Sequence, residues 1–573
     1  MLENQVIAPE NQVTALETMS EEQRQQAFPR LTDAQIARVA KFAVRRHVNA
    51  GEVLVESGGK DMPFILVLSG SLEVLRCAIR GGQPGSQQIV VHGPGNFFGD
   101  MTMMTSRPSI VTARMKDAGE ILVLDRKCLQ EFVQNDAELG DIIIRAYVIR
   151  RVNLVKQGWG NALLIGSAFS AGTVRIKEFL ERNGYPCAYM DLEKDESAEE
   201  FLNKMHVKAS DIPVLICGKN KVLRNPTNQE VAECLGFNIG IDTDHMRDVV
   251  IVGAGPAGLS SAVYAASEGL KPLMVEMAVP GGQAGSSSRI ENYLGFPTGI
   301  SGTNLTYRAT HQAEKFGVEM MITTKAMKLD CMKKPYAIEV DGGRKLMARA
   351  IVIATGAAYR KLPLTNLSDF EGTGIYYWAT PMEAQLCQGQ EVIVVGGGNS
   401  AGQAAIFLSA KAKHVHILIR ADGLQSSMSR YLIRRIENTK NITVHANTEV
   451  TGIEGPAKGK LERIQWTNNK TGAVEIQEIC HLFLMTGARP NTQWLDGCVA
   501  QDKQGFIKTG PALTPEDLTA ARWPLARPPY FLETSLPGVF AVGDVRAGNM
   551  KRIASAVGEG SVAISLIHQV LAE

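Results

Sequence analysis

The sequence predicts a multidomain protein: a small β-barrel with flanking helices, an α/β unit, and then two further α/β units of the doubly wound type. Three observations carry this. Residues 50–125 are short alternating strands separated by glycine turns. Residues 160–237 run strand, helix, strand, helix, strand, strand, helix. Beyond residue 245, two glycine clusters each follow a short apolar run and open a helix. At 573 residues the chain has room for about three to five such units.

Bulk composition narrows the partners. The chain is 45% apolar and 21% charged, with a net charge of +1, so no overall field points to nucleic acid or to an anionic membrane. Residues 1–26 lack a basic patch followed by an apolar run, so no secretory signal is expected. No apolar stretch of about 18 residues suggests a membrane span, and a cytoplasmic protein is expected. The nine cysteines are scattered, the closest pair being Cys217 and Cys234, 17 residues apart. They suit reduced core thiols better than a disulfide framework, and none has metal-ligand spacing, so no metal is expected.

After a polar tail over 1–24, helices are expected over 21–26 and 32–40, interrupted at Pro29. Strands follow over 53–56, 64–68, 71–78, 88–91 and 120–124, then helix over 126–156. Gly51-Glu52-Val53-Leu54, the run from Phe64 to Gly70, and Phe98-Gly99-Asp100 come in that order. Residues 25–157 thereby resemble the cyclic nucleotide-binding domain family. The resemblance implies an acid for the ribose hydroxyl, here Asp100 after Gly99, and an arginine for the cyclic phosphate. Ser109 stands at that arginine's usual place, and Arg107 lies two residues early. A cyclic nucleotide, another effector, and a structural or docking role all remain open for this unit.

Residues 158–240 resemble a thioredoxin or glutaredoxin fold. A strand over 162–165, a helix over 174–183, strands over 185–191 and 213–217, and a closing helix over 231–236 carry the likeness. Ile212-Pro213 stands where that fold keeps a cis-proline. Its redox motif would open the first helix, where the helix dipole lowers a thiol pKa. Ser170-Ala171-Gly172-Thr173 is found there, hydroxyls that cannot carry two electrons, while Cys187 and Cys217 read as core.

The glycine clusters are Gly253-Ala254-Gly255-Pro256-Ala257-Gly258 and Gly396-Gly397-Gly398-Asn399-Ser400-Ala401. Glycine lets the turn approach a pyrophosphate, whose charge then rests on the helix N-terminus. Two of them imply two dinucleotides and electron transfer between them. From Asp248 onward the chain resembles low-molecular-weight thioredoxin reductases, which implies Rossmann-type FAD and NAD(P) domains, the FAD domain over 245–365 and 487–573 and the NAD(P)H domain over 370–486. For FAD the resemblance points to Gly253, Gly255, Gly258, Glu276, Gln283, Asn292, Thr355, Gly543 and Asp544, followed by Arg552, Ile553 and Ala554. Glu276 stands 21 residues past Gly255, near the spacing of an acid on a ribose. For the second nucleotide it points to Gly396, Gly398, Asn399, Ser400, Ala401 and Arg420. An arginine at position 420 favours the 2′-phosphate of NADPH over NADH, which stays open because Ala421 and Gln425 replace further arginines.

The family's Cys-x-x-Cys precedes the second fingerprint. Here Trp378 and Pro381 stand in its place, and neither forms a thiolate. An oxidoreductase is expected in which NADPH reduces flavin and the flavin reduces an external small-molecule or protein acceptor, with no catalytic side chain assigned. Two alternatives stand beside it: a thioredoxin reductase using an unrecognised thiol such as Cys387, and a redox or nucleotide sensor. The resemblance also implies a homodimer. The loop over 510–533 reads either as a lid or partner surface or as an inert insertion.

Overall fold

The structure is a computed structural model describing residues 19–60, 62–80, 83–105, 107–195, 208, 211–217, 221–287, 290, 292–364, 366–370, 374–377, 379, 381–456 and 460–573. The barrel is two antiparallel four-stranded sheets. One runs Val44–Val48, Gly119–Leu124, Phe64–Val67, Phe97–Phe98; the other Val53–Val55, Thr112–Asp117, Ser71–Arg80, Gln83–His92. The sequence patterns miss three of these strands, Val44–Val48, Phe97–Phe98 and Thr112–Asp117. The first is almost wholly exposed and pairs its charges across the sheet with Glu120, so no apolar alternation marks it. The helical run over 126–156 is two helices, Arg126–Asn135 and Ala137–Lys156. Asp136 closes the first and caps the second, its carboxylate accepting the Leu139 N–H at 3.1 Å.

The next unit is a mixed sheet in the order Ala188–Asp191, Ala162–Gly166, Val214–Cys217, Lys221–Arg224, covered by helices Ala171–Arg182 and Asn228–Leu235. The first pair is parallel and the other two are antiparallel. The Ile212–Pro213 peptide is cis. The second helix expected here would fall on residues 196–207, outside the described residues. The cysteines depart from expectation. Cys217, read as a reduced core thiol, is disulfide-bonded to Cys234, and Cys331 is bonded to Cys498. The sheet end carries Cys217 onto the closing helix, and strand Ala326–Asp330 brings Cys331 to the loop after Leu495, a proximity that sequence spacing hides.

The second half holds two parallel-centred sheets. The larger runs Glu319–Ile322, Pro272–Glu276, Arg247–Val252, Lys345–Ile353, Tyr336–Val340, Ala326–Asp330, and Val539–Ala541 joins Lys345–Ile353 in parallel. The other runs Ile375–Tyr376, Leu482–Leu484, Glu391–Val395, His414–Leu418, Ile442–His445, all parallel. The antiparallel pair Ala357–Tyr359 and Ala488–Pro490 connects them. Helix Ile553–Ala572 corrects the expectation that no apolar stretch could span a bilayer, since its length and mean hydropathy of 1.2 meet that test. It instead lies on helix Pro256–Ser267 so closely that a Cβ on Gly560 would sit 2.4 Å from the Ala257 carbonyl oxygen. The loop over 510–533 is strapped down rather than free: Arg527 stacks 4.0 Å above the Tyr530 ring and is ion-paired with buried Glu533 and with Glu573.

The appended units share one apolar core with the larger sheet's unit, from Phe132 through Phe179 and Phe237 to Met320. Asn238 finishes that sheet's edge. Its side chain accepts the Ile322 N–H and donates to the Ile322 carbonyl, each at 2.8 Å, as a neighbouring strand would.

Candidate functional site

Strand Arg247–Val252 enters the first glycine turn with Gly253 at φ +107°, where a Cβ would lie 2.3 Å from the Ala354 carbonyl oxygen. A Cβ on Gly258 would lie 1.9 Å from the Gly253 oxygen, so helix Pro256–Ser267 can approach only without side chains. Gly255 is different: nothing lies closer to its Cβ position than Gly282 Cα, at 4.0 Å. Gly281 and Gly282 face it, and the opening between them sits at the helix N-terminus. Glu276 ends the neighbouring strand, where its carboxylate accepts the N–H groups of Ala254 and Ala278, each at 2.8 Å. Burial pushes its pKa up against these bonds. Gln283 donates to the Ala357 carbonyl, Asn292 is exposed, and Thr355 donates to the Asn491 carbonyl at 2.8 Å beside the connector.

Asp544 is half-buried after strand Val539–Ala541, and burial pushes its carboxyl up. Among the described residues its carboxylate has no hydrogen-bond partner. Glu559 fixes the turn before it, accepting the Gly543 N–H at 2.7 Å and pairing with Arg546. Arg552 is the exposed N-cap of the last helix, which begins at Ile553 and Ala554. Room beside Gly255 and a carboxylate lacking a donor fit a dinucleotide with a hydroxylated chain such as FAD.

The second fingerprint repeats the first on the smaller sheet. Gly396 has φ +139°, with a Cβ 2.3 Å from the Met485 oxygen, and Gly398 caps helix Asn399–Ser409. Ala401 is buried beneath the turn and Ser400 is exposed, while Asn399 accepts the Ser429 N–H at 2.7 Å. Arg420 follows strand His414–Leu418 and Arg430 opens helix Arg430–Glu437, both exposed and without an ion pair among the described residues. Free guanidinium groups there fit a nicotinamide nucleotide carrying an extra phosphate.

In the barrel, Gly99 (φ +130°) admits Met103 and Tyr147 where a side chain would be. Asp100 is committed internally: it accepts the Thr102 N–H at 2.8 Å and ion-pairs with buried Arg151 at 3.2 Å. Arg107 does not turn into the barrel as an effector-site residue would. It donates to the Asn183 carbonyl at 3.3 Å, stacks over Phe237 at 4.8 Å, and faces Glu314 at 4.0 Å. Buried Ser109 donates to the Val111 carbonyl at 2.8 Å. The expected pairing of Asp100 with Arg107 around one ligand is therefore not formed, because domain packing draws the arginine outward.

The pyridine nucleotide-disulphide oxidoreductase family matches residues 247–560, the span holding both glycine cradles. The chain belongs to that family. Membership places it among the FAD- and NAD(P)H-using oxidoreductases. The cyclic nucleotide-binding domain family matches residues 45–136. The chain is 33% identical over 361 residues to NADPH-dependent thioredoxin reductase 3 of Arabidopsis thaliana, a match spanning 60% of this chain and 64% of that one. It is 30% identical to the thioredoxin reductase of Bacillus subtilis over 58% of this chain and 96% of that one. The solved thioredoxin reductase of Lactococcus lactis is similar over 57% of this chain and 99% of its own, at 29% identity and a TM-score of 0.51.

In this oxidoreductase, Pro381 opens helix Pro381–Leu386, whereas Trp378 lies outside the described residues. Cys387 is fully buried and its thiol is pushed up to about 11, chiefly by desolvation. Sequence reasoning missed a buried arginine bordering the barrel cavity, Arg150, and the docking arginine Arg182. Both sit at ordinary charged helix positions; tertiary packing gives Arg150 its partners and adds the Gly282 carbonyl to Arg182's in-helix pair with Glu178.

Proposed function

We propose that the protein transfers electrons from NADPH through FAD directly to an external acceptor, without a dithiol beside the flavin. The observation that carries this is the sequence around the second fingerprint: no two of the nine cysteines stand within three residues of each other, and Trp378 and Pro381 take the usual places. The buried, weakly acidic Cys387 supports it, because a thiol at about 11 is scarcely ionised at neutral pH. When bound, the cofactors supply the chemistry, hydride passing from the nicotinamide to the flavin. The chain's task is to hold and orient. Gly253 permits the tight turn, Gly255 and Gly282 leave room for a pyrophosphate, Asp544 accepts from hydroxyls, and Arg420 selects the phosphorylated nucleotide.

The sheet order of the second unit supports reading it as thioredoxin-like. Its Cys217–Cys234 bridge favours a second reading, in which this pair is the internal dithiol. Anaerobic titration with NADPH followed by turnover on a quinone separates the two. Bleached flavin, with quinone turnover intact in the Cys387→Ser and Cys217→Ser/Cys234→Ser variants, is the expected result. Failure to bleach overturns both readings, and thioredoxin reduction that disappears in a cysteine variant favours the internal dithiol.

A further inference from the structure

The barrel holds a partly open cavity of about 60 Å³ walled by Met19, Phe28, Met62, Val74, Ile89 and Ile110. Arg150, from helix Ala137–Lys156, borders it and is 6% exposed. Its Nε donates to the Ala27 carbonyl at 2.7 Å and its Nη1 to the Gly99 carbonyl at 2.8 Å, and aromatic rings of Phe28 and Phe97 flank the guanidinium at 5.0 and 4.8 Å. Nη2 is buried with no partner among the described residues. A guanidinium donor left unpaired in an apolar interior costs free energy that a ligand acceptor would recover.

The charges at this site do not cancel. Asp100 is the one acid on the cavity wall, and Arg151 already pairs with it at 3.2 Å. His92 is held neutral, its pKa driven well down by burial and then by Arg150. Burial lowers Arg150 itself to about 10, which still leaves it charged at neutral pH. One positive charge therefore remains without a counter-ion, which one monoanion would supply.

We infer that this cavity binds a small aliphatic monocarboxylate, its carboxylate on Arg150 and its chain among Val74, Ile89 and Ile110. Size sets the class. A cavity of about 150 Å³ holds the six heavy atoms of benzene, so 60 Å³ suits a ligand of about three or four heavy atoms, the size of acetate. A nucleotide needs a pocket of about 300 Å³ or more, and the acid that would hold its ribose, Asp100, is engaged by Thr102 and Arg151.

Calorimetry on the full chain in carboxylate-free buffer tests this with acetate, ethanol and cyclic AMP as probes. Acetate should bind one to one, about tenfold or more tighter than the alcohol of equal length, because only the acid meets the charge. Arg150→Met should abolish the difference between acid and alcohol. Should that variant not fold, Val74→Phe fills the cavity while leaving every Arg150 contact in place, and it should abolish acetate binding. Equal binding of acetate and ethanol, no acetate binding, acetate binding that survives Val74→Phe, or binding of cyclic AMP alone would each overturn the inference.

Discussion

Arg182 Nη2 donates to the carbonyl of Gly282 at 2.9 Å, tying the last turn of helix Ala171–Arg182 to the glycine pair that faces the first fingerprint. The next residues of the same helix end are held from the other side. Arg107 takes the Asn183 carbonyl and Arg151 takes that of Gly184, at 2.7 Å. Since Arg151 also holds Asp100, the barrel and the flavin cradle grip one short stretch of backbone between them.

Arg182→Met should therefore weaken FAD binding through the Gly282 carbonyl that it holds. A hydrogen bond from a charged, part-buried donor is worth about 1.5–3 kcal/mol, so the FAD dissociation constant should rise at least about tenfold. Equilibrium dialysis of the apoprotein measures it, and an unchanged constant would show that the glycine pair keeps its place unaided.

Asp544→Asn should move apoprotein stability and FAD affinity in opposite directions. Burial raises the Asp544 carboxyl in the folded apoprotein, so between the unfolded and folded values the native state holds the proton that the unfolded chain has released. Its contribution is thus most favourable at low pH and declines as pH rises through that window, levelling off above the raised folded value. Removing the charge should raise the apoprotein melting temperature at pH 7 and shrink the further rise on adding FAD. Paired melting curves with and without FAD decide it.

Arg420→Ala should raise KM for NADPH by roughly ten- to a hundredfold, the worth of one or two charge-assisted bonds, and leave KM for NADH within about twofold. Steady-state reduction of a quinone with each nucleotide reads this directly. Equal effects on both nucleotides would place the 2′-phosphate elsewhere, with Arg430 the nearest alternative.

The Cys331–Cys498 bridge links positions 167 residues apart. Restricting so long a loop in the unfolded chain is worth about 4–5 kcal/mol in the chain-entropy view. Reductant should lower the melting temperature of the native protein, and the Cys331→Ala/Cys498→Ala variant should melt low and lose most of that response, the remainder belonging to the Cys217–Cys234 bridge.

Features set by local chemistry were legible from sequence alone. The two fingerprints lie where their glycines require, each with a Cβ position occupied by a backbone oxygen, and Glu276 ends the second strand, where its carboxylate accepts the Ala254 N–H. The cis peptide before Pro213 also matched the resemblance. Features set by distant partners were not legible. Cys331 and Cys498 meet only because the larger sheet folds between them, and Arg107 leaves the barrel because Phe237 and Asn183 come from another unit. The span-like length and hydropathy of helix Ile553–Ala572 went unmarked because its apolar character is diluted by glycine and serine, which serve its tight crossing of helix Pro256–Ser267.

The Asn238 side chain has a consequence for anyone dissecting the protein. Because it occupies the hydrogen-bonding groups of Ile322, a fragment beginning at Arg247 would present strand Glu319–Ile322 as a raw margin, with Val318 and Met320 stripped of cover. Such a fragment, although it contains both nucleotide cradles, should stick to itself through that margin. The first 240 residues are thus a lining sewn into the reductase, and function should be dissected with point substitutions in the intact chain.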